Sequence, residues 1–415
     1  GVHRHQKVLQ GRSAIMYAGL AGFAILAFAY SLIAGKIQRL PLSAPIIFVG
    51  VGIAMSPLGL DWFSPQAAAV NGKPLIDVTL ALILFIDAAN ANLGVLRRNL
   101  RLPARMLVIG LPLTMAFGTL VAAAWFEVLS LYEAAVLGTM LAATDAALGK
   151  AVVTNPKVPD RLREGLSAES GLNDGLCVPF LLLFIALELG DTTQGDGLAW
   201  VLLSEEIGIG VAVGIGLTVI GAWLLKFAKK REWLDGIWLQ VSLPALAIGC
   251  FAIAQSLHGS GYIAAFVGGL VFRGMIGDKV HHLVEPAEGI GEVLALVAWV
   301  MFGLLIVPLA LPAMNLHILL YALLSLTIIR MIPIGLSLAG SGERTASKLF
   351  LGWFGPRGLA SLAFAAIVVS EQLPHTELIV SVVVCTVGIS LVVHGISAKP
   401  LSERLAASEQ TRGKT

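Results

Sequence analysis

The chain alternates long apolar runs with short polar connections along nearly its whole length. An apolar run of about 20 residues is long enough to cross a bilayer as an α-helix. The pattern therefore predicts an all-α polytopic membrane protein with about thirteen transmembrane spans. We place these spans at residues 14–34, 43–59, 75–93, 104–126, 131–152, 159–187, 198–228, 237–257, 260–277, 288–310, 314–339, 346–370 and 376–397.

Composition supports the membrane class and narrows the choice of partners. The chain is 57% hydrophobic and 13% charged, with a mean hydropathy of +0.86, which is far more apolar than a water-soluble globule of this length requires. A net charge of +2 without a cluster of basic residues argues against nucleic acid as a partner. The three cysteines, Cys177, Cys250 and Cys385, are widely spaced in apolar segments and are interpreted as small buried hydrophobes.

Positive charge is concentrated in the connections that follow odd-numbered spans, as in 97–105 and 226–231, whereas acids dominate the others. The positive-inside rule places the odd-numbered connections and the C-terminus in the cytoplasm of a cell (inner) membrane protein. An odd number of spans then places the N-terminus outside. The basic residues within 1–12 argue against this orientation. We expect a single membrane domain, 1–398, followed by a short cytoplasmic tail, 399–415.

The most polar stretch inside a predicted span is 169–175, which reads Glu-Ser-Gly-Leu-Asn-Asp-Gly. A carboxylate at bilayer depth costs about 2.5–3.5 kcal/mol, so a chain that keeps one usually uses it. At helical spacing Ser170, Asn173 and Asp174 share one face. That face combines an acid that can hold either a proton or a cation with neutral oxygens that can help to coordinate the cation. The pattern indicates ion transport, with Asp174 as the titrating group.

Two other spans are predicted to be interrupted, one at 142–145 and one at 354–358, where Pro and Gly loosen the helix. Asp145 suits the positive N-termini of half-helices, although a purely structural capping role stays open, and Arg357 suits their carbonyl-rich C-termini. A broken helix in each half of the chain is typical of inverted-repeat transporters. Glu169 is expected to form a structural ion pair with an arginine. Asp87 either lines a cavity or makes a hydrogen bond between helices.

These motifs resemble the NhaP-type monovalent cation:proton antiporters of the wider sodium/proton exchanger family. The resemblance rests on Thr144-Asp145, the segments 155–162 and 169–175, and Gly355-Pro356-Arg357-Gly358, in the same order and spacing. It covers nearly the whole chain. It implies the NhaA-like antiporter fold, a homodimer, and a mobile core at about 75–187 and 288–370, with the remaining helices forming the dimer and scaffold part.

The resemblance also implies roles for individual residues. Asp174 would bind either the cation or the proton, with Ser170, the carbonyl of Thr144 and Asp87 completing the coordination. Asn173 would steady the site. Glu169 would pair with Arg330, although this chain has Met331 where the family often has proline, so Arg357 stays a second candidate partner.

The expected function is exchange of a monovalent cation for H⁺, with Na⁺ first and Li⁺ or K⁺ as alternatives. The Asn173-Asp174 pair resembles the electroneutral branch of the family, because one titrating carboxylate can exchange one proton for one cation; Asp87 complicates this count if it also titrates. Turnover is expected to be bell-shaped in pH. No enzyme activity and no cofactor are expected, and membrane lipids are the expected surroundings.

Three alternatives belong to other functional classes. A cation channel would lack stoichiometric proton counterflow, and the chain has no repeated carbonyl filter to support it. A symporter for an organic anion on a similar broken-helix fold would show competition by organic solutes. A membrane scaffold or sensor would tolerate replacement of Asp174 by asparagine.

Overall fold

The structure is a computed structural model that describes residues 21–35, 44–60, 65–90, 101–145, 148–191, 196–233, 237–277 and 281–410. The described residues contain helices and no strands. The basic N-terminal residues, the start of the first predicted span, the connections at 36–43 and 91–100 and the last five residues lie outside this range. The prediction of an all-α fold is confirmed, and the number of thirteen spans stays a prediction.

The helices, in chain order, are α1 (Ala21–Gly35), α2 (Ala44–Met55), α3 (Pro65–Asn90), α4 (Arg101–Trp125), α5 (Leu131–Met140), α6 (Lys150–Val153), α7 (Asp160–Asp191), α8 (Asp196–Lys230), α9 (Ile237–Ser256), α10 (Gly261–Ile276), α11 (His281–Met301), α12 (Leu316–Leu326), α13 (Ile328–Ser337), α14 (Thr345–Trp353), α15 (Leu359–Glu371) and α16 (Thr376–Gln410). Helix α4 contains one π-helical turn, Met106–Gly110, and a second, Phe302–Ile306, prolongs α11.

Six helical stretches of the described residues are long and apolar enough to cross a membrane. They are Arg101–Trp125, Asp160–Gly190, Ser204–Lys230, Val284–Ala313, Leu316–Ser337 and Thr376–Ser408. Shorter apolar helices, including Ala44–Met55 and Gly261–Ile276, accompany them. Many large apolar side chains on their outer surfaces are exposed, such as Trp223 and Leu320, as lipid contact requires. The chain is an integral membrane protein.

The helices pack in two groups. Helices α3, α8 and α9 pack against α10, α11 packs against α3 and α9, and α2 joins them through α11. In the second group α4 packs against α5 and α13, α12 and α15 pack against α16, and α13 packs against α14. Helix α7 contacts members of both groups, namely α3 and α8 on one side and α5, α14 and α15 on the other. The polar face of α7 therefore lies where the two groups meet.

Several predicted spans are not continuous helices. The span predicted at 131–152 starts as a helix that ends at Met140. The span predicted at 346–370 is divided by the non-helical segment 354–358. Both expected interruptions are therefore present. The span at 314–339 is also divided, at Thr327, whose hydroxyl donates to the carbonyl of Leu323 at 2.6 Å. A threonine bonded to its own helix in this way often bends it.

The last helix continues beyond the predicted end of its span at residue 397 and reaches Gln410. Leu405 and Ser402 in this extension are buried, and Leu405 belongs to an apolar cluster with Leu162 and Phe350. Nζ of Lys157 lies 3.4 Å from a carboxylate oxygen of Glu403. The helical part of the tail therefore packs on the second group of helices.

A capping network fixes the start of α5. Ser130 and Glu133 form a capping box, in which Glu133 N donates to the serine hydroxyl at 3.0 Å and Ser130 N donates to the carboxylate at 3.1 Å. The Ser130 hydroxyl also donates to Glu188 near the end of α7. The carboxylate of Glu133 accepts the backbone N–H of His375 at 2.8 Å. This network joins α5, α7 and the connection before α16 at one end of the second group.

Candidate functional site

The polar stretch predicted from the sequence lies in the middle of α7 and is buried. Relative exposure is 1% for Glu169, 5% for Ser170, 0% for Asn173 and 6% for Asp174. Ser170, Asn173 and Asp174 lie on one face because they are three and four residues apart in a continuous helix. This face is turned toward the two interrupted helices.

The first interruption brings Thr144 against that face. Helix α5 ends at Met140, and residues 143–145 have no regular structure. Thr144 N donates to Oδ1 of Asn173 at 3.3 Å, and Nδ2 of Asn173 donates to Oγ1 of Thr144 at 2.5 Å. The hydroxyls of Thr144 and Ser170 are 3.1 Å apart. Asn173 thus fixes Thr144 through both its backbone and its side chain.

Asp145 joins the first interruption to the second. Its N–H donates to the carbonyl of Pro356 at 2.8 Å, and its Oδ2 accepts the N–H of Leu359, the first residue of α15, at 2.9 Å. Its Oδ1 accepts the N–H of Leu148 at 3.2 Å. A carboxylate at helix N-termini satisfies free N–H groups and complements the helix dipole. Asp145 therefore has a capping geometry at the crossing of the two chain segments.

Side chains satisfy the carbonyl groups that the two interruptions leave free. The hydroxyl of Ser361 donates to the carbonyl of Met140 at 2.9 Å, and Nε of Arg330 donates to the carbonyl of Gly352 at 3.1 Å. Nη1 of Arg357 donates to the carbonyl of Gly355 at 3.0 Å. These contacts are needed because hydrocarbon offers a free carbonyl no partner.

Two glycines allow these close approaches. A Cβ atom at Gly355 would overlap the guanidinium of Arg330, and one at Gly358 would overlap the carboxylate of Asp145. The Gly-Pro-Arg-Gly segment is therefore suited to let an arginine and an aspartate lie directly against its backbone.

Glu169 and Arg330 form a buried bidentate ion pair. Nη1 and Nη2 of Arg330 donate to the two carboxylate oxygens of Glu169 at 3.0 and 2.9 Å, and both side chains are at most 2% exposed. Two parallel bonds are the strong geometry for an arginine and a carboxylate. Of the two partners considered for Glu169, the structure pairs it with Arg330, while Arg357 is turned to the carbonyl of Gly355.

Asp174 differs from the two neighbouring carboxylates. Among the described residues, its buried Oδ1 has no hydrogen-bond partner. The carboxylates of Asp145, Asp87 and Glu169 all lie within electrostatic range of it. A buried carboxylate oxygen without a hydrogen bond is costly unless a cation or a proton joins it.

Asp87 reaches this region from the other group of helices. It lies on α3, opposite Gly171 of α7, where a Cβ atom would be 3.7 Å from the Asp87 carbonyl oxygen. Two exposed acids of α11, Glu288 and Glu292, act electrostatically on Asp87, and Glu288 accepts a hydrogen bond from Asn90 at 2.5 Å. This pair of acids is not among the site residues predicted from the sequence. Their spacing of four residues in one helix was the available signal.

The described residues contain no group of three His, Cys, Asp or Glu side chains arranged to hold a metal ion. The candidate site instead combines the free oxygen of Asp174 with the hydroxyls of Ser170 and Thr144. Hard oxygen donors of this kind suit a hard cation. Such a set has the chemistry for a transported monovalent ion rather than for a resident transition metal.

Two interrupted helices whose unwound segments meet inside a membrane protein, with buried carboxylates where they meet, are typical of a class of membrane transporters. The chain belongs to the sodium/hydrogen exchanger family. The family profile described as "Sodium/hydrogen exchanger, transmembrane" matches residues 23–404. This match confirms the family expected from the motifs.

Individual relatives agree with this assignment. The chain is 26% identical over 371 residues to the K(+)/H(+) antiporter NhaP of Alkalimonas amylolytica, covering 88% of this chain and 63% of that protein. It is 27% identical over 350 residues to the Na(+)/H(+) antiporter 2 of Zygosaccharomyces rouxii, covering 78% of this chain and 42% of that one. The chain thus spans less than two thirds of the length of these relatives.

A solved structure shows the same fold. The sodium proton antiporter MjNhaP1 from Methanocaldococcus jannaschii at pH 8 superposes with a TM-score of 0.76 at 19% identity, covering 94% of this chain and 99% of that one. The predicted antiporter fold is therefore confirmed over nearly the whole length of the chain.

The buried ion pair generates a stability prediction. Glu169→Gln leaves the Arg330 charge buried without a counter-ion, and we expect it to lower the free energy of unfolding by about 3–5 kcal/mol. Arg330→Met should have a similar effect. The double variant should be more stable than the sum of the two losses implies, because it buries no unpaired charge. Unfolding by SDS in mixed micelles measures the cycle, and strictly additive losses would contradict the pairing.

Proposed function

We propose that the protein is a secondary active antiporter that exchanges a monovalent cation for H⁺ across the membrane. Cation and proton compete for Asp174 while the site alternates between the two sides. The observation that carries the proposal is the buried Oδ1 of Asp174, which has no hydrogen-bond partner among the described residues and lies on the same helical face as Ser170. In its neighbours Glu169 and Asp145, by contrast, both carboxylate oxygens accept hydrogen bonds from protein donors.

The proposed cycle follows from the charge of the site. With Asp174 ionised, a partly dehydrated cation binds among its carboxylate oxygen, the hydroxyl of Ser170, the carbonyl of Thr144 and Asp87. With Asp174 protonated, the site is neutral and can also change sides. The ionised, empty site moves least easily, because an unpaired charge in a low-dielectric environment is costly.

The proposed exchange is electroneutral, with one proton for one cation. Asn173 is a neutral amide bonded to Thr144, and Glu169 is neutralised by Arg330. Asp145 is bonded to backbone N–H groups. In the proposal, Asp174 is the carboxylate that exchanges its proton, and Asp87 is a ligand of the cation.

The cation is proposed to be Na⁺, with K⁺ and Li⁺ as the alternatives. The names of the relatives support exchange of a cation for a proton and differ in the cation, since one is called a K(+)/H(+) antiporter and another an Na(+)/H(+) antiporter. An oxygen site selects among these ions by its size and rigidity.

The movement and assembly of the molecule are part of the same proposal. The expected core, about 75–187 and 288–370, contains α7 and both interrupted helices. Because α3 packs against α10 and α11 packs against α3 and α9, we propose that the moving part is α4–α7 with α12–α16 and that the other helices form the scaffold of a homodimer. We also propose that the protein lies in the cell (inner) membrane, with the C-terminus in the cytoplasm and the N-terminus outside.

Asp174→Asn tests the exchange directly. Asparagine cannot ionise, so the variant cannot alternate between cation and proton, and we expect exchange to fall to the level of protein-free liposomes. The assay follows internal pH in proteoliposomes after addition of Na⁺, Li⁺ or K⁺.

Asp77→Asn is the matched control for this experiment. Asp77 is another acid of a membrane helix, and it accepts a hydrogen bond from Tyr262 at 2.7 Å, which asparagine can retain. We expect the control to exchange like the native protein. Native exchange in Asp174→Asn, or cation flux without proton counterflow in the native protein, would refute the antiporter.

Asn173→Asp tests the stoichiometry. A second carboxylate beside Asp174 allows two protons to be carried, so exchange by this variant should become dependent on membrane potential while native exchange stays independent of it. A K⁺ gradient with valinomycin sets the potential when Na⁺ is the transported ion. Asn315→Asp, which replaces one helix-capping side chain by another, is the control and should behave like the native protein. Potential-dependent exchange by the native protein would contradict electroneutrality.

A further inference from the structure

Helix α16 contacts the unwound segment 354–358 at both of its ends. At one end, Nε2 of His394 lies 2.9 Å from the carbonyl oxygen of Trp353, the last residue of α14. At the other end, the backbone N–H of Arg357 donates to the hydroxyl of Ser390 at 2.7 Å. Both side chains are buried, at 4% exposure for His394 and 0% for Ser390. Two backbone groups freed by the unwinding thus find their partners on another helix.

The contacts of the imidazole fit a neutral ring that carries its hydrogen on Nε2. The Ser390 hydroxyl oxygen accepts from Arg357, so its own hydrogen is free to point to Nδ1 of His394, 3.0 Å away. The Trp353 carbonyl can only accept, so Nε2 carries the hydrogen donated to it. In the neutral ring Nδ1, which lies 3.0 Å from both the hydroxyl and the carbonyl oxygen of Ser390, accepts from the hydroxyl. The chain of donors runs from Arg357 N–H through Ser390 to His394, and His394 donates in turn to the Trp353 carbonyl.

A third contact strengthens the same junction. The indole Nε1 of Trp353 donates to the hydroxyl of Ser397 at 2.9 Å. Ser390, His394 and Ser397 are spaced by four and three residues, so they form one face of α16. That face bonds Trp353 through its backbone and its side chain.

Hydrogen bonds connect the unwound segment to the candidate ion site through Asp145. The backbone carbonyl of Pro356 and the backbone N–H of Leu359 bond Asp145. Asp145 follows Thr144 directly in the chain, and Thr144 contacts Ser170 and Asn173. A shift of the segment therefore moves Asp145 and, with it, the carbonyl and hydroxyl of Thr144.

We propose that Ser390 and His394 are positioning residues of the transport site: they hold the two ends of the unwound segment and so set the place of Thr144 among the cation ligands. The inference rests on the proposed function, because it assigns Thr144 to the cation site. It adds α16 to the elements that determine cation affinity, although no residue of α16 belongs to the cation site itself.

Three substitutions of His394 separate this role from simple packing. In His394→Gln the side-chain amide nitrogen can take the place of Nε2 and donate to Trp353, whereas the shorter side chain of His394→Asn cannot reach it, and His394→Leu has no donor. We expect the apparent KM for the cation to rise about fivefold or more in the Leu and Asn variants and to stay within about twofold of native in the Gln variant, because small displacements of a ligand weaken binding. Maximal exchange per folded protein should change less than KM.

Variants of the serine complete the design. Ser390→Ala removes one hydroxyl, and we expect it to raise the apparent KM for the cation as His394→Leu does. It tests the positioning role even if His394→Leu fails to fold. Thr386→Val is the matched control on the same helix, since the Thr386 hydroxyl donates to the carbonyl of Val382 within its own helix. We expect native KM in this control.

The outcomes distinguish the two proposals. If the native protein exchanges no cation for protons, the proposed function fails. If it does, but His394→Leu and Ser390→Ala keep the native KM and lose only the amount of folded protein, the positioning role is wrong. A KM in His394→Gln as high as that in His394→Leu would also refute it, since the donor to Trp353 would then have no effect.

Discussion

Backbone N–H and C=O groups at the two helix interruptions must find partners inside the protein, because hydrocarbon offers them none. Asp145 accepts from the N–H groups of Leu148 and Leu359, and its own N–H bonds Pro356. Ser361 and Arg330 bond the carbonyl ends of the interrupted helices. Because of this constraint, buried charged side chains lie together at the two interruptions, and the polar face of α7 lies beside them.

The same constraint separates the carboxylates by what they bind. Glu169 is held by both terminal nitrogens of Arg330, and Asp145 is held by backbone donors. Arg330 also bonds the carbonyl of Gly352, so one guanidinium serves an ion pair and a helix end together. Asp174 has an oxygen with no such donor among the described residues. In the proposed cycle, that difference makes it the group that exchanges a proton for a cation.

Residues with a strong local signal made much of this architecture predictable. Gly355, Pro356 and Gly358 indicated the second interruption, which the structure contains. The division at Thr327 was not predicted, because neither proline nor glycine marks it and it depends on a hydroxyl bonding its own helix. His394 was missed because a lone histidine in an apolar helix carries no signal until its contact with Trp353 is seen. The choice between Arg330 and Arg357 as the partner of Glu169 likewise required the distances between helices.

Competition between one proton and one cation at Asp174 is the central claim, and the pH dependence of cation affinity tests it most directly. The measurement is the apparent KM for Na⁺ in proteoliposomes, taken at a series of pH values equal on both sides of the membrane. On the acidic side we expect KM to rise about tenfold for each unit by which pH falls, since one proton displaces one cation. A KM that stays constant across that range, while only the maximal rate changes, would contradict it.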